Sequence, residues 1–213
     1  RLDFIKPPLA EQTAIANILS DQEALIAQYD NLIALHEKRF AYLSDELLSG
    51  RLRLSREVDG PVKISHNAHW HSLSINENEC STPEDWHVKN VSDLGYGIVT
   101  GKKDANAAVS GGAYTFFTCG EKDLAIDVYS FNTEALILNG NGNVGEVKMA
   151  NGKFDAYQRN YVLTGGLPLK YGYYVFKHYF KDAVNLSGSV MPYITLKDLQ
   201  KFEIRIPPLP EKT

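Results

Sequence analysis

Apolar residues recur at every seventh position through the first fifty residues of the chain. One series is Leu19, Ile26, Ile33, Phe40 and Leu47. A second series, offset from it by three or four positions, is Ile15, Gln22, Tyr29, His36 and Leu43. Two interleaved heptad series form the a/d seam of a coiled coil. The pattern therefore predicts one long helix over about residues 11–49, whose apolar seam packs against a partner helix.

The predicted helix has start and stop signals at its two ends. Pro7 and Pro8 precede its first turn, where the missing amide proton of proline costs nothing. Gly50 follows its last residue, at the position where glycine commonly ends a helix. Such a helix would be roughly 55–60 Å long. A surface helix packed on its own domain is the alternative interpretation, but helices of that kind rarely run so far.

After the helix, the apolar residues occur in short runs separated by polar residues and glycine. Residues 51–57 are basic, and residues 59–80 are polar and typical of a loop with strand-like pieces. From Trp86 onward the chain is rich in Gly, Tyr, Phe, Val and Asn. Short apolar runs at 135–138 and 173–176 are bounded by glycine and asparagine, which predicts strands joined by turns.

The final part of the chain adds short helices to this β-rich pattern. Residues 177–185 suit a short helix, and residues 195–199 suit a capped helical turn that leads into a strand at 202–206. The whole pattern predicts an α+β fold, in which a β-rich globular domain carries a long projecting coiled-coil helix. We place the boundary between helical region and β-rich domain at residues 1–56 and 57–213.

The two ends of the chain resemble each other. Residues 1–13, RLDFIKPPLAEQT, align without a gap with residues 201–213, KFEIRIPPLPEKT. Basic, apolar and acidic positions match, followed by Pro-Pro-Leu-x-Glu and a final Thr. The chain therefore contains one period of a repeat about two hundred residues long. A second period would follow in a longer chain or come from a second copy.

Composition narrows the class of protein without identifying it. Hydrophobic residues make up 44 % of the chain, enough for a real core, and no uninterrupted apolar stretch is long enough to span a membrane. The first residues show no apolar signal segment, and Cys80 and Cys119 are isolated. We expect a reduced, cytoplasmic protein. The formal net charge of −4 gives no overall sign of nucleic-acid binding, but it does not exclude a local basic face.

Two patterns invite a cofactor or metal interpretation, and neither is strong. Residues 140–145 read G-x-G-x-x-G, but residues 146–149 and the Asn151-Gly152 turn after them predict a hairpin instead of the helix that a dinucleotide site needs. A second group comprises His66, His69, His71 and His87 with Cys80, whose spacing matches no zinc pattern. We expect no cofactor and no metal.

Catalysis has no recognisable position in the sequence. Nucleophile-elbow, P-loop and H-E-x-x-H motifs are missing. The Asp/Asn-Pro-Pro-aromatic tetrapeptide of amino-methyltransferases is missing too, because Lys6 and Ile206 precede the two Pro-Pro pairs. We therefore expect no catalytic residue and no enzyme activity in this chain.

The richest segment for DNA chemistry is residues 152–161, GKFDAYQRNY. Arginine can pair bidentately with guanine and glutamine with adenine, lysine contacts phosphate, and tyrosine can stack or donate to phosphate oxygen. A basic turn, a Gly-Tyr-Thr loop and a glycine- and asparagine-rich loop have the same character. The candidate DNA contacts are Lys102, Lys103, Tyr114, Thr115, Asn141, Asn143, Lys148, Lys153, Tyr157, Gln158 and Arg159.

With these features the chain resembles the specificity subunit of type I restriction-modification enzymes over nearly its whole length. The segment at 5–12 followed by the long helix, ending Leu47-Leu48-Ser49-Gly50, resembles the spacer region of that family. The segments at 114–119, 140–142 and 152–159 resemble its target recognition domain. The departure from the family is that one recognition domain and one helix are present, where the family has two of each.

The resemblance implies a non-catalytic subunit that reads one half of a split double-stranded DNA site, with the helix length setting the unread spacer. Methyltransferase subunits would bind alongside, and a restriction subunit is a further candidate partner. The expected assembly is a homodimer through Ile15, Leu19, Ile26, Tyr29, Ile33, Phe40, Leu43 and Leu47. The alternative is a coiled-coil protein-interaction module that does not bind DNA, which the eight acids against four bases in residues 1–49 would suit.

Overall fold

The computed structural model of the chain describes residues 7–56, 62–66, 83, 85–183 and 192–208. The chain divides into two compact units, residues 1–44 and residues 45–213. The described part of the first unit is helical apart from the prolines that precede the helix, and the second unit contains the strands. The fold is therefore α+β, as the sequence predicts.

Helix α1 (Leu9–Ser49) is one uninterrupted helix of 41 residues, which confirms the helix predicted from the heptad pattern. It ends where Gly50 adopts a positive φ of 80°, a conformation that glycine enters without steric cost. Most of the predicted seam is open to solvent. Six seam residues have exposed fractions from 45 % to 60 %, namely Ile15, Leu19, Ile26, Tyr29, Ile33 and Phe40.

The second unit is built from short strands with helical segments near its C-terminal end. The strands are β1 (Leu52–Arg56), β2 (Val62–His66), β3 (His87–Asn90), β4 (Tyr96–Thr100), β5 (Tyr114–Phe117), β6 (Leu124–Ile126), β7 (Phe131–Asn132), β8 (Ala135–Asn139), β9 (Val147–Ala150), β10 (Lys153–Ala156), β11 (Asn160–Gly165) and β12 (Glu203–Ile206). The helices are α2 (Leu169–Val175), α3 (Lys181–Ala183) and α4 (Leu196–Lys201). A π-helical turn, Phe176–Phe180, joins α2 to α3 without a break.

Two four-stranded sheets form the body of this unit. One has the strand order β4-β11-β8-β9 and is antiparallel throughout. The other has the order β6-β5-β10-β7, and its central pair, β5 and β10, is parallel, with Phe154 opposite Thr115. Strands β1 and β2 form a separate antiparallel pair, as do β3 and β12.

Strand β8 is buried on both faces, which explains its uninterrupted apolar run. Leu136 and Leu138 belong to a core cluster that includes Phe176 of the π-helical turn. Ala135 and Ile137 point the other way, because side chains alternate along a strand, and belong to a cluster with Phe154 of the second sheet. The first sheet is therefore the middle layer, between the helical segments and the second sheet.

The prediction of a strand at residues 173–176 is wrong, because these residues are helical. Gly172, Val175, Phe176 and Phe180 are all buried, and their spacing puts them on one face of a helix. The helix predicted for 177–185 accordingly begins earlier, at Leu169. A four-residue apolar run does not distinguish a strand from a buried helical turn, and only the longer spacing does.

The prediction of a hairpin at Asn151-Gly152 is also wrong. Gly152 does turn the chain, with a φ of 85°. However, β9 before it pairs with β8, and β10 after it pairs with β5 and β7. The turn therefore carries the chain from one sheet to the other, and the hairpin of this region is β8–β9.

The capped turn predicted near residue 195 is confirmed. The side chain of Thr195 accepts a hydrogen bond from the backbone N–H of Asp198 at 3.2 Å. The Asp198 carboxylate accepts one from the backbone N–H of Thr195 at 2.9 Å, which completes a capping box at the start of α4. The hydroxyl of Thr195 also donates to this carboxylate at 2.6 Å, and this bond together with the one from the Thr195 backbone N–H lowers the pKa of Asp198 below its ordinary value.

Candidate nucleic-acid interface

A tight turn at residues 157–160 joins β10 to β11 and holds the side chains with the strongest base-reading chemistry. The backbone N–H of Asn160 donates to the carbonyl oxygen of Tyr157 at 2.8 Å, which closes the turn. Gln158 and Arg159 form the tip of the turn and are both exposed, whereas Asn160 is fully buried. The turn therefore presents a guanidinium and an amide to solvent on a fixed backbone.

The loop that follows β4 packs directly against this turn. The backbone N–H of Gln158 donates to the carbonyl oxygen of Lys103 at 2.9 Å, and the amide of Gln158 donates to the carboxylate of Asp104 at 3.0 Å. Gly101 allows the approach, because a Cβ atom there would lie 1.9 Å from the carbonyl oxygen of Ala156. Any larger residue at position 101 would push the two loops apart.

The β8–β9 loop packs against the other side of the same turn. The backbone N–H of Gly140 donates to the carbonyl oxygen of Arg159 at 2.9 Å. A Cβ atom at Gly140 would lie 2.4 Å from that oxygen, so glycine is again what permits the contact. Asn141 forms an isolated β-bridge with Tyr193, which extends the surface to residues 192–194. Two loops therefore meet around one turn; we call the turn and these loops, together with residues 192–194, the loop surface.

Two buried asparagines support the loop surface from below. Asn139 and Asn160 face each other across β8 and β11, and both are fully buried. Asn139 donates to the carboxylate of Glu146 at 3.3 Å, and the thiol of Cys119 donates to the side-chain oxygen of Asn160 at 2.7 Å. Burial raises the pKa of the Cys119 thiol, so at neutral pH it is a protonated donor in this network.

A buried carboxylate, Asp155, holds the Lys103 side chain of the loop surface. Asp155, in β10, is fully buried and accepts hydrogen bonds from the hydroxyl of Ser130 at 2.9 Å and from the backbone N–H of Ala156 at 2.8 Å. The ammonium nitrogen of Lys103 lies 3.9 Å from the Oδ2 atom of Asp155. Since the Lys103 side chain is still about a third exposed, it can face a ligand while it remains attached to β10.

Six of the candidate DNA contacts lie in the loops that form this surface. They are Lys102, Lys103, Asn141, Tyr157, Gln158 and Arg159. Asn143, a seventh candidate, is exposed farther along the β8–β9 loop. Residues that are far apart in sequence are therefore brought together by the register of the two sheets.

Three other candidates lie at the opposite end of the second sheet. Tyr114 and Lys153 begin the parallel strands β5 and β10, about 13 Å along the strand from Tyr157. The rings of Tyr114 and Tyr129 are 5.0 Å apart, and the ammonium nitrogen of Lys153 lies 4.8 Å from the Tyr129 ring. Thr115, next to Tyr114, is exposed. These residues form a second surface, separate from the loop surface.

Lys148 already forms an ion pair within the protein. Its ammonium group donates to the carboxylate of Asp123 at 2.7 Å and to the carbonyl oxygen of Gly120 at 3.1 Å, and its side chain is only 14 % exposed. A phosphate would have to compete with a carboxylate that is already in place. Neither Asp123 nor Gly120 was a candidate from the sequence, since both lie more than twenty residues from Lys148 along the chain.

The structure describes the residues of the cofactor pattern and some of those of the metal pattern. The G-x-G-x-x-G segment is the β8–β9 hairpin loop and is followed by a strand, so the helix that binds a pyrophosphate is not there. His87 is exposed on β3, whereas His69, His71 and Cys80 lie outside the described residues. Within the described ranges, no three His, Cys, Asp or Glu side chains are grouped as metal ligands. In those same ranges, no helix has the length and hydropathy to cross a membrane.

Comparison with known proteins agrees with the β-rich architecture. A family model described as the type I restriction modification DNA specificity domain matches residues 83–213. The specificity subunit of the type I restriction enzyme EcoDI from Escherichia coli is 38 % identical over 133 residues, which is 62 % of this chain and 30 % of that protein.

Solved structures with a similar fold include two S subunits of type I systems. The HsdS subunit from Thermoanaerobacter tengcongensis aligns over 97 % of this chain and 49 % of its own, with a TM-score of 0.53 and 18 % identity. The S subunit from M. genitalium aligns over 63 % of this chain and 36 % of its own, with a TM-score of 0.50 and 23 % identity. The chain thus spans between a third and a half of these structures.

Proposed function

This chain belongs to the type I restriction-modification DNA specificity family, and we propose that its loop surface reads one half of a split double-stranded DNA sequence. The observation that carries the proposal is the meeting of two loops around the 157–160 turn. Gly101 and Gly140 hold these loops in backbone contact, so the exposed side chains between them are presented in a fixed arrangement. Fixed side chains are what base reading requires, because hydrogen bonds to base edges depend on geometry.

The individual roles follow from side-chain chemistry. Arg159 suits a guanine edge, and Gln158 suits an adenine edge. Tyr157, Asn141 and Asn143 complete the base-reading set. Phosphate contacts, which fix the register on the duplex without reading sequence, are assigned to the lysines. These are Lys102 and Lys103 beside the turn and Lys153 on the second surface, with Tyr114 and Thr115 next to it. Lys148 is left out of the interface because Asp123 already occupies it.

Helix α1 supplies the second half of the site by pairing with another copy of itself. Its seam residues are about half exposed, and an apolar stripe of that length is stabilised when a partner helix covers it. In a dimer whose two-fold axis is perpendicular to the helices, the helices run antiparallel and place the two recognition domains at opposite ends. The spacer region, residues 1–56, then sets the unread gap between two half-sites read by residues 57–213. The recognised sequence is therefore an interrupted palindrome.

The proposed subunit carries no catalysis of its own. Methyltransferase subunits dock beside the helices and modify the DNA that this chain positions, and a restriction subunit is a further partner. Such an assembly works in the cytoplasm, where its DNA substrate is. Support comes from the family membership.

Selection from a pool of randomised duplex DNA, with the cognate methyltransferase subunit added, tests the proposal. An interrupted palindrome should be enriched, and each half should lose enrichment when the loop surface is altered. Light scattering on the same preparation should give a dimer of the 23.8 kDa chain. A preparation that is dimeric, takes up the methyltransferase subunit and enriches no sequence would contradict DNA reading by this chain.

A coiled-coil protein-interaction module is the second candidate, and the exposed seam with its acidic flanks is the observation that favours it. Residues 1–49 contain eight acidic and four basic residues, which suits a protein partner better than phosphate. The same selection separates the two functions. A pure interaction module would capture protein through α1, while substitutions in the 157–160 turn would change nothing that it binds.

A further inference from the structure

A cleft of about 570 Å³ lies on the far side of the β8–β9 loop from the 157–160 turn. One wall is the loop itself, residues 142–147. The other wall consists of Tyr173, Lys177 and Lys181, and Pro192 closes one end. Sites that bind small organic groups have volumes of about 300–1,000 Å³, so this cleft has room for a sugar with its phosphate.

The cleft and the loop surface share a wall. Gly140, at the start of the β8–β9 loop, accepts a hydrogen bond from the backbone N–H of Ile194 at 3.0 Å and donates to Arg159 at 2.9 Å. Pro192, two residues before Ile194, lines the cleft. The β8–β9 loop therefore contacts the turn that carries Arg159 through Gly140 and lines the cleft through residues 142–147.

The charges in the cleft favour an anion. Lys177 and Lys181 are both exposed and lie four residues apart, so one turn of helix places their ammonium groups on the same face. Lys177 donates to the hydroxyl of Tyr173 at 3.2 Å, which orients it and leaves it two further donors. Glu146 is the one carboxylate among the lining residues, and it accepts from the buried amide of Asn139.

We propose that this cleft holds a phosphodiester of the DNA backbone, with Lys177 and Lys181 as the cations that bind it. The inference rests on the proposed function, since it places the backbone of the same duplex whose bases the loop surface reads. It also adds a helical element to an interface that sequence analysis confined to loops and strands. The two lysines fix the register of the β8–β9 loop on the duplex, and they contribute affinity without sequence preference.

Salt dependence of DNA binding measures these contacts directly. The full chain is titrated with a fluorescent duplex of mixed sequence at salt concentrations from about 50 to 200 mM, where each lost phosphate contact lowers the slope of log K against log salt by about 0.9. K177A/K181A should lower the slope by the amount expected for the loss of about two phosphate contacts. K177R/K181R, which keeps both charges, should restore most of it.

The matched control removes two lysines that do not line the cleft. Lys170 on α2 and Lys197 on α4 are both exposed, and K170A/K197A changes the net charge by the same amount. The control should keep the slope of the unaltered chain, and circular dichroism should show that both double variants are folded. An equal loss of slope in K177A/K181A and the control would overturn the cleft assignment.

The outcomes also separate this inference from the proposed function. If the unaltered chain selects a DNA sequence and K177A/K181A keeps its salt slope, the cleft is wrong and the reading function stands. If the unaltered chain binds duplex DNA with no salt dependence and no selection, both fail together. A lowered slope with an unchanged selected sequence is the result that supports a phosphate contact.

Discussion

Strand β8 and helix α1 both carry conspicuous apolar series, yet the two are covered to very different degrees. The apolar residues of β8 are at most 1 % exposed, because a sheet and a helical layer cover its two faces. In α1, Leu19 is 58 % exposed and Ile26 is 60 % exposed. The β-rich unit thus completes its own core, whereas the apolar seam of the helix is left open.

The difference shows where each segment obtains its stability. Burial contributes about 25 cal/mol for each Å² of apolar surface removed from water, so a side chain that is more than half exposed has gained less than half of what it can gain. More than half of the burial free energy available to these seam residues of α1 is therefore not gained within the chain. Strand β8 has no comparable gain left, since its apolar residues are at most 1 % exposed.

The largest expected effect comes from the same substitution made in the two regions. Leu136→Ala removes a side chain that is 1 % exposed, and it should lower the free energy of unfolding by about 2–5 kcal/mol through lost burial and the cavity left behind. Leu19→Ala, at 58 % exposure, should leave the unfolding of the β-rich unit unchanged. Urea denaturation followed by near-ultraviolet circular dichroism measures both. Equal losses would remove the distinction between the two regions.

A charge placed in the seam tests whether α1 is completed by another helix. Ile26→Asp should weaken dimerisation by about 3 kcal/mol, or roughly a hundred-fold in Kd, because an aspartate there would be buried without a partner. Ala27→Asp adds the same charge one position farther round the helix, outside the seam, and should leave the dimer intact. Light scattering over a range of concentrations reads out both variants. Dissociation of both to the same extent would argue against a heptad seam.

Arg159 tests the opposite case to Leu136, because it is an exposed polar side chain of the β-rich unit and is proposed to contribute to binding instead of to the core. Arg159→Ala should weaken binding to the selected DNA by about 1–3 kcal/mol and relax one base position, while the free energy of unfolding stays the same. Arg159→Lys keeps the charge but loses the bidentate geometry, so it should lose the base preference and keep the salt slope. Binding and denaturation measured on the same preparations check this. A base preference that survives both substitutions would remove Arg159 from the base-reading set.

The smallest expected effect concerns helix α4, which has its own cap and needs no partner. Asp198→Asn should cost up to about 1 kcal/mol at neutral pH. Because the pKa of Asp198 is lowered in the folded protein, its contribution is present above the unfolded pKa of about 4 and is lost as the pH falls through the folded value. Denaturation at a series of pH values should therefore show the two proteins converging below about pH 4. Asp182→Asn, at an exposed position in α3, removes the same charge outside the capping box and is the control.

The sequence predicted best those elements whose signal is local and repeated. The heptads of α1, the buried run of β8 and the Thr195 cap each lie within one continuous segment, and their physical causes act over a few residues. The sequence also predicted a turn at Gly152, but it did not show that this turn connects two different sheets. Whether the next strand returns to β9 or crosses to another sheet depends on β5, which lies nearly forty residues away.

The candidate site was predictable in residue type and only partly in arrangement. The sequence shows that Tyr157, Gln158 and Arg159, three side chains suited to DNA contacts, are adjacent. Their contact with the Lys103 loop depends on sheet register, whereas the distance of Lys153 from them follows from the length of the extended strand β10. The pairing of Lys148 with Asp123 is a long-range contact that no spacing rule reveals. Charge alone therefore could not separate a free lysine from an occupied one.

The two glycine contacts at the loop surface have a consequence for how new specificities can arise. The nearest atom to a Cβ at Gly101 or Gly140 would be the backbone carbonyl oxygen of Ala156 or Arg159, so these two close approaches do not depend on which exposed side chains the turn carries. Substitutions at Gln158, Arg159 and Asn141 can therefore accumulate without loss of the fold. If the loop surface reads DNA as proposed, a lineage of such proteins can change the sequence it reads while its architecture stays constant.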